Sequence, residues 1–206
     1  VNPAVELVDP RVRRTTGFYP HILQSFYHWR SSRLRIPKDG YRFGDSGGYT
    51  IATQGVLIDP REVLLWQIEH SICGVILDHP PGSIAGVMDG TPWEDALTLT
   101  ASNVRRGLPI YLRVRENGSP FRLWSVAHGE NQSQLKEWHR RISDLYPFTG
   151  PGEGWAVKPF PSNDPRGVIR CLRFLKSQGI HRAHFFQTAG VRSVVILYCL
   201  GPQAGL

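Results

Sequence analysis

The sequence predicts an α/β protein made of repeated strand–helix units, and three observations predict it. Short apolar runs alternate with helix-length amphipathic stretches five times, mostly at steps of about 30 residues, as parallel strands joined by helical crossovers require. Helix-opening signals recur between the runs, as at Asp59-Pro60-Arg61-Glu62. There Asp suits the N-cap, Pro the first helical position, and Glu the reciprocal position of a capping box. A polar residue closes every strand-like run: Asp45, Asp78, His128, Lys158 and Gln187. The carboxyl ends of a parallel barrel are where an active site is assembled. The pattern reads as a (β/α)8 TIM-type barrel, incomplete in this chain at about five to six βα units. A full barrel takes about 250 residues, and the chain has 206.

Two parts are expected: an Arg-rich segment over residues 1–40 packing on the barrel, and the partial barrel over residues 41–206. Within the first, Pro20 to Arg30 reads as a helix with Ile22, Phe26 and Trp29 on one face. Tyr41-Arg42-Phe43 is a strand that delivers Asp45. The helix capped by Asp59 runs to about His70, and Ile72 to Leu77 follows as a buried strand ending at Asp78-His79-Pro80-Pro81. Thr91-Pro92-Trp93-Glu94 repeats the start signal, for a helix to about Arg106 that Gly107 ends. Ile110 to Val114 and Phe121 to Ala127 read as strands joined by a hairpin turn at Asn117-Gly118. Ser133 to Leu145 is a helix with Leu135, Trp138 and Ile142 inward. Gly154 to Val157 is a strand. Asp164-Pro165 opens a helix that Gly179 stops, Arg182 to Phe186 is the next strand, and Val191 to Leu200 begins one more helix.

Composition narrows the function classes. The chain is 41% hydrophobic, as globular proteins are. Its longest apolar run, Val191 to Leu200, contains Arg192 and Ser193, so no stretch reaches the 18 or so apolar residues of a membrane span. The N-terminus shows no signal-peptide pattern. It begins with Val1 rather than Met, and is read as processed or as a fragment. Cys73, Cys171 and Cys199 are far apart and odd in number, which argues against a disulfide framework and a Cys-based zinc site. A reducing, cytoplasmic setting follows. The net charge is +7, with clusters at Arg11, Arg13, Arg14, at Arg30, Arg33, Arg35 and at Arg105, Arg106, Arg113, Arg115. Such clusters suit phosphate backbones, and equally suit a solvated surface.

The stretch with the most chemistry is Asp45-Ser46-Gly47-Gly48-Tyr49. Two glycines let the backbone turn tightly and approach a ligand. A carboxylate, bare amides and an aromatic ring together suit a flat polar molecule. Gly44-Asp45-Ser46-Gly47-Gly48 also matches the nucleophile signature of chymotrypsin-like proteases. Those need a His and an Asp upstream, only His21 and His28 precede Ser46, and Tyr49 stands where that family has proline.

Asp45-Ser46-Gly47-Gly48-Tyr49 resembles the Asp-Ser-Gly-Gly-Phe/Tyr motif of the tRNA-guanine transglycosylase superfamily. Leu77-Asp78 resembles its second acidic strand end, and His128-Gly129 stands at its Gln-Gly pair. Gly154-Trp155-Ala156-Val157 resembles its Gly-Leu-Ala-Val strand, and Phe186-Gln187-Thr188-Ala189-Gly190 its Leu-Met-Gly-Val-Gly strand end. The resemblance covers most of residues 41 to 190. It implies an enzyme that exchanges guanine in a nucleic acid for a 7-deazaguanine base (the class of queuosine precursors such as preQ0). An Asp attacks the sugar carbon and the incoming base displaces the enzyme, so one hard displacement becomes two easier ones. On this resemblance Asp45 is the catalytic residue that handles the proton of the departing and incoming bases. Asp78 accepts hydrogen bonds from the guanine edge. Tyr49 and Gln187 flank the base plane, while Gly154 and Trp155 add backbone and shape contacts. Ser46, Gly47, Gly48, His128 and Gly129 complete the substrate-binding set. The base must leave its stack to reach such a pocket.

Several positions depart from the family. The Cys-x-Cys-x2-Cys…His zinc site of its tRNA enzymes is not found, so no cofactor is expected within this chain. His128 replaces a Gln, and Lys158-Pro159 replaces a Gly-Glu or Gly-Gly pair. These departures resemble the DNA-modifying branch, so DNA is the favoured polymer, with tRNA the alternative. The family's nucleophile lies on the strand after the helix expected from Val191, and no Asp or Glu follows Asp164. The attacking Asp is therefore expected beyond residue 206, and the chain to be a truncated fragment that binds without exchanging a base on its own. The partners implied are nucleic acid, a 7-deazaguanine base, and a second copy or partner subunit, with no membrane. Two other readings stay open. One is a metal-dependent barrel hydrolase using Asp78, His79 and His128, and the other is a non-catalytic nucleic-acid-binding paralogue.

Overall fold

The polar-ended apolar runs form the strands of one parallel sheet. The structure, a computed structural model, describes residues 21–27, 41–84, 88–158 and 165–185. Its strands are β1 (His21–Ser25), β2 (Tyr41–Asp45), β3 (Cys73–Val75), β4 (Gly82–Ile84), β5 (Met88–Thr91), β6 (Arg122–Ala127), β7 (Gly154–Val157) and β8 (Ala183–Phe185). Its helices are α1 (Gly48–Gln54), α2 (Pro60–His70), α3 (Trp93–Glu116), α4 (Gln132–Ser143) and α5 (Pro165–Ser177). Six strands pair in the order β1-β2-β3-β6-β7-β8, every pair parallel.

The sheet is curled into a partial barrel flanked by helices, and one ring contact shows how strongly. Phe43 on β2 stacks on His184 on β8 with centroids 5.3 Å apart. Those strands are four steps apart in the sheet, about 19 Å if it were flat. Side chains alternate accordingly. Phe43, Cys73, Val75, Trp124, Val126 and Ala156 point inward as one cluster. Their neighbours Leu123, Ala127, Trp155 and Val157 meet the helices in the larger core with Leu64, Leu97, Tyr111, Leu135 and Trp138. Burial on both faces is why these strands read as continuous apolar runs.

Asp59 caps α2 as expected, its carboxylate accepting from the Arg61 amide at 3.0 Å. Asn131 caps α4 through the Gln134 amide at 2.9 Å. Gly44 and Gly74 leave room for Gln67 of α2, because a Cβ at either would lie 2.8 Å and 2.6 Å from its side chain. Gln67 Nε2 donates to the carbonyls of Gly44 (2.9 Å) and Val75 (2.8 Å), tying α2 to β2 and β3.

Four expectations are corrected. His21–Ser25 is a strand rather than part of a helix, because it pairs residue for residue with β2, His21 to Tyr41 through Ser25 to Asp45. The sheet therefore extends into the Arg-rich segment; Arg11, Arg13, Arg14, Arg30, Arg33 and Arg35 lie outside the described residues. Helix α3 does not stop at Gly107, and Ile110 to Val114 is its continuation rather than a strand. Pro109 removes one helical donor, which costs about 3 kcal/mol in a helix interior. It and Arg105, whose carbonyl loses that donor, both lie on the exposed side. Burial of Tyr111, with Leu108 and Ile110 packed on the core, offsets the loss. Gly107 helps, since a Cβ there would stand 3.1 Å from Ile76 and 3.3 Å from Leu64. Asn117-Gly118 is consequently a helix end and not a hairpin turn. Asn117 is the C-cap and Gly118 takes φ +80°, the left-handed conformation that closes helices. At the other end of α3, Pro92 is the N-cap and makes no side-chain cap bond, so Thr91-Pro92 does not repeat the Asp59-Pro60 arrangement. Two elements were not anticipated: α1, which starts directly at Gly48, and the antiparallel pair β4–β5 between β3 and α3, with β5 lying against α1. Asp164, Phe186, Gln187 and the helix expected from Val191 lie outside the described residues.

Candidate functional site

Neighbouring strand ends bring three side chains to one rim. β2 ends in Asp45, β3 continues through Ile76 and Leu77 to Asp78, and β6 is followed by His128. Asp45 lies two residues beyond inward-facing Phe43 and so shares its face.

Asp78 is buried and held on both oxygens. Ser46 Oγ donates to Oδ1 at 3.2 Å, and His128 Nε2 lies 2.6 Å from Oδ2. A carboxylate can only accept, so Nε2 carries the proton of that bond. His128 is fixed in turn: its ring packs edge-on against Trp138 at 5.0 Å, and its carbonyl accepts from Trp93 Nε1 at 3.2 Å. Helix α3 clamps the backbone on either side of Asp78. Asn103 Nδ2 donates to the Leu77 carbonyl at 3.0 Å, and the His79 amide donates to Thr100 Oγ1 at 2.9 Å. Gly48 completes the enclosure, because a Cβ there would stand 2.4 Å from Asp78 Oδ1 and 2.7 Å from its carbonyl oxygen. Only glycine lets α1 start that close to the carboxylate. Each Asp78 oxygen keeps a second lone pair for a ligand.

Asp45 is treated differently. Burial first, and the Asp78 charge second, push its carboxyl up from 3.8 to about 6. The Gly47 amide, which donates to Oδ2 at 3.2 Å, and hydrogen bonds from Ser25 and the Ser46 amide pull the other way without cancelling the rise. Gly47 makes that turn at φ +85°, where a side chain would be strained. The rim thus holds one firmly bonded carboxylate beside one poised to exchange a proton near neutral pH, the value suited to general acid–base work. Such a pair can accept N–H donors and exchange a proton.

The structure brings Asp45, Ser46, Gly47, Gly48, Asp78 and His128 together. Tyr49 sits in the first turn of α1 and is 60% exposed, on the rim. Lys158 is also exposed, after the end of β7. Gly129 makes room for the start of α4, since a Cβ there would stand 2.6 Å from the Leu135 amide. Gly154 and Trp155 differ from expectation. Both lie in the first half of β7, away from its carboxyl end. The Trp155 ring is fully buried on the helix side, 4.5 Å from the His139 ring, with Nε1 donating to the Pro147 carbonyl at 3.2 Å. Alternation along β7 turns it away from the barrel interior. Three contributors escaped the sequence reading: Ser25, Thr100 and Asn103. Ser25 closes a strand with a polar residue, a signal hidden by reading that stretch as a helix.

The metal-hydrolase alternative finds no support in the geometry. Among the described residues no group of three His, Cys, Asp or Glu side chains is gathered to hold an ion, so Asp78, His79 and His128 do not form one. Of the cysteines, Cys73 lies in the barrel interior and Cys171 in the helix-side core, and Cys199 lies outside the described residues. No helix among the described residues is long and apolar enough to cross a membrane. Comparison with protein-family models gives no match, and comparison with curated proteins gives none either.

Proposed function

We propose that this chain carries the base-binding site of a nucleic-acid guanine transglycosylase, a pentosyltransferase that exchanges guanine, in DNA by preference and tRNA as the alternative, for a 7-deazaguanine. The observation that carries the reading is the pairing of Asp45 and Asp78 on adjacent strand ends, with Asp78 pinned by Ser46 and His128. The N1–H and exocyclic amine of a guanine-type base are donors, and the free lone pairs of Asp78 accept them. Asp45 in its protonated form gives its proton to the base as the glycosidic bond breaks. The carboxylate left behind takes a proton from the incoming base, so the residue is returned unchanged. In this reading Tyr49, exposed on the rim, stacks on the extruded base. The covalent step needs a carboxylate that attacks the sugar. Residues 165–206 contain no Asp or Glu, so the chain's described contribution is recognition and proton transfer.

The test is direct. Binding of free guanine and of a 7-deazaguanine is measured by calorimetry, alongside incorporation of the labelled base into duplex DNA and tRNA by the full gene product. The wild type is expected to bind both bases, Asp78→Asn to lose most of that affinity, and Asp45→Ala to abolish incorporation. Absence of base binding by the wild type would overturn the proposal.

A further inference from the structure

The last stretch of this chain is strongly basic. Residues 165–206 hold Arg166, Arg170, Arg173, Lys176, Arg182 and Arg192 and no acid, a net charge of +6. Residues 1–40 carry +4, from seven Lys and Arg against three Asp and Glu, and residues 41–164 carry −3, from eleven against fourteen.

Helix α5 arranges four of the six charges on one face. At about 100° per residue, Arg166, Arg170, Arg173 and Lys176 fall within about 120° of arc, and all four are exposed. Val168, Cys171 and Leu175 are buried on the opposite side. The stripe is about 15 Å long at 1.5 Å per residue, enough to follow several phosphates of one strand at about 3.4 Å each. A parallel crossover from β7 starts α5 at the carboxyl end of the strands, the rim that holds Asp45, Asp78 and His128. The stripe therefore begins at that rim, with Arg166 nearest to it.

We propose that the exposed face of α5 is the phosphate-backbone track that holds the nucleic acid while a base enters the site. This rests on the proposed function for the choice of polymer. It adds the surface and the mode of contact, which is electrostatic and independent of sequence.

The test is fluorescence anisotropy of labelled duplex DNA and of tRNA, from about 50 to about 200 mM salt. It compares the wild type with Arg170→Gln/Arg173→Gln/Lys176→Gln and with Arg170→Lys/Arg173→Lys. Three lost phosphate contacts are expected to flatten the duplex salt slope by about 2.7, which makes affinity about 40-fold less sensitive over that range. The Lys variant keeps the charges and is expected to keep the slope. Arg173→Gln alone, with a loss of about 0.9 in slope, serves if the triple variant does not fold by circular dichroism. An unchanged slope in the Gln variants would overturn the proposal. So would absence of binding to either polymer, or binding through these residues to phosphatidylcholine–phosphatidylserine vesicles and not to nucleic acid. Free base binding is measured in parallel. A wild type that binds polymer through α5 but no base sinks the transglycosylase reading alone, and base exchange with an α5-independent slope sinks this one alone.

Discussion

Replacing Asp45 by Asn is expected to stabilise the protein near neutral pH while removing its proton-transfer group. The folded chain holds the Asp45 carboxyl at about 6 against 3.8 when unfolded, through burial first and the Asp78 charge second. A group raised in this way favours the folded state most below the unfolded value, and that advantage is lost as pH rises through about 6. Relative to strongly acid pH, Asp45 thus works against folding by about 1.6 kcal/mol at pH 5, where folding takes up a proton, and at most about 3 kcal/mol at pH 7, where it buries a charge, from about 1.36 kcal/mol per unit. The Asn amide carries no charge at any of these values, and its oxygen still accepts from the Gly47 amide. His139 opposes the trend in the wild type. Burial lowers it from 6.5 to about 4, so its contribution is present above pH 6.5 and lost as pH falls toward 4. His79 and His184 are lowered by burial in the same sense. The wild type should therefore show a flattened pH profile, and the Asn variant a steeper loss in acid. Urea unfolding at half-unit steps from pH 4.5 to 8 measures both. A stability difference that stays constant across that range would refute the argument, because a shift without pH dependence cannot come from ionisation of Asp45.

Other perturbations separate the site from the scaffold. Gly48→Ala drives a methyl group into the Asp78 carboxylate and is expected to cost about 1–3 kcal/mol and to abolish base binding, by thermal melting and calorimetry. His128→Ala leaves a buried carboxylate oxygen without its donor, at about 1–3 kcal/mol; His128→Gln, which keeps an N–H donor, should recover part of both stability and base affinity. Glu153→Gln is the control at the opposite end of β7. That buried carboxylate accepts from Tyr111 at 2.6 Å, Tyr146 at 2.8 Å and Arg115 at 2.7 Å, so denaturant unfolding should show a loss of about 3 kcal/mol with base affinity per folded molecule unchanged.

The strands were legible where burial on both faces made them continuous apolar runs, as at β3, β6 and β7. Helix α2 was legible for its terminal chemistry, and α4 for its apolar side with Leu135, Trp138 and Ile142. The failures share a cause. Ile22, Phe26 and Trp29 satisfy a helical period, yet five residues of that stretch pair along β2, and periodicity over so short a run does not decide between the two. Gly107 and Pro109 signal a helix end, yet Leu108, Ile110 and Tyr111 return to the core at helical spacing and the packing prevails. Within the site, Asp45, Asp78 and His128 were legible because a polar residue after a buried strand is unusual. Thr100 and Asn103 were not, because their role is to hold the backbone of Leu77 and His79 beyond β3, which become neighbours of α3 only after folding. Trp155 was misplaced because the side of the sheet that a residue faces depends on register, which one strand alone does not reveal.

The contrast between the two carboxylates is the strongest link between this fold and proton chemistry. Asp78 receives Ser46 and His128, and α3 fixes the backbone on each side of it. Asp45 stands on the neighbouring strand, where hydrogen bonds from Gly47, Ser25 and Ser46 do not offset its burial and the Asp78 charge. The arrangement works against folding across the neutral range. Conflicts of this kind cluster at functional sites. The proposed division, in which one carboxylate reads donors and the other exchanges a proton, draws on that contrast. If Asp78→Asn, which removes the neighbouring charge, lowers the Asp45 carboxyl only slightly, burial dominates its rise. The proton affinity of Asp45 then belongs to the partial barrel itself, and carbon-detected NMR titration of that carboxyl from pH 3 to 8 would show it directly.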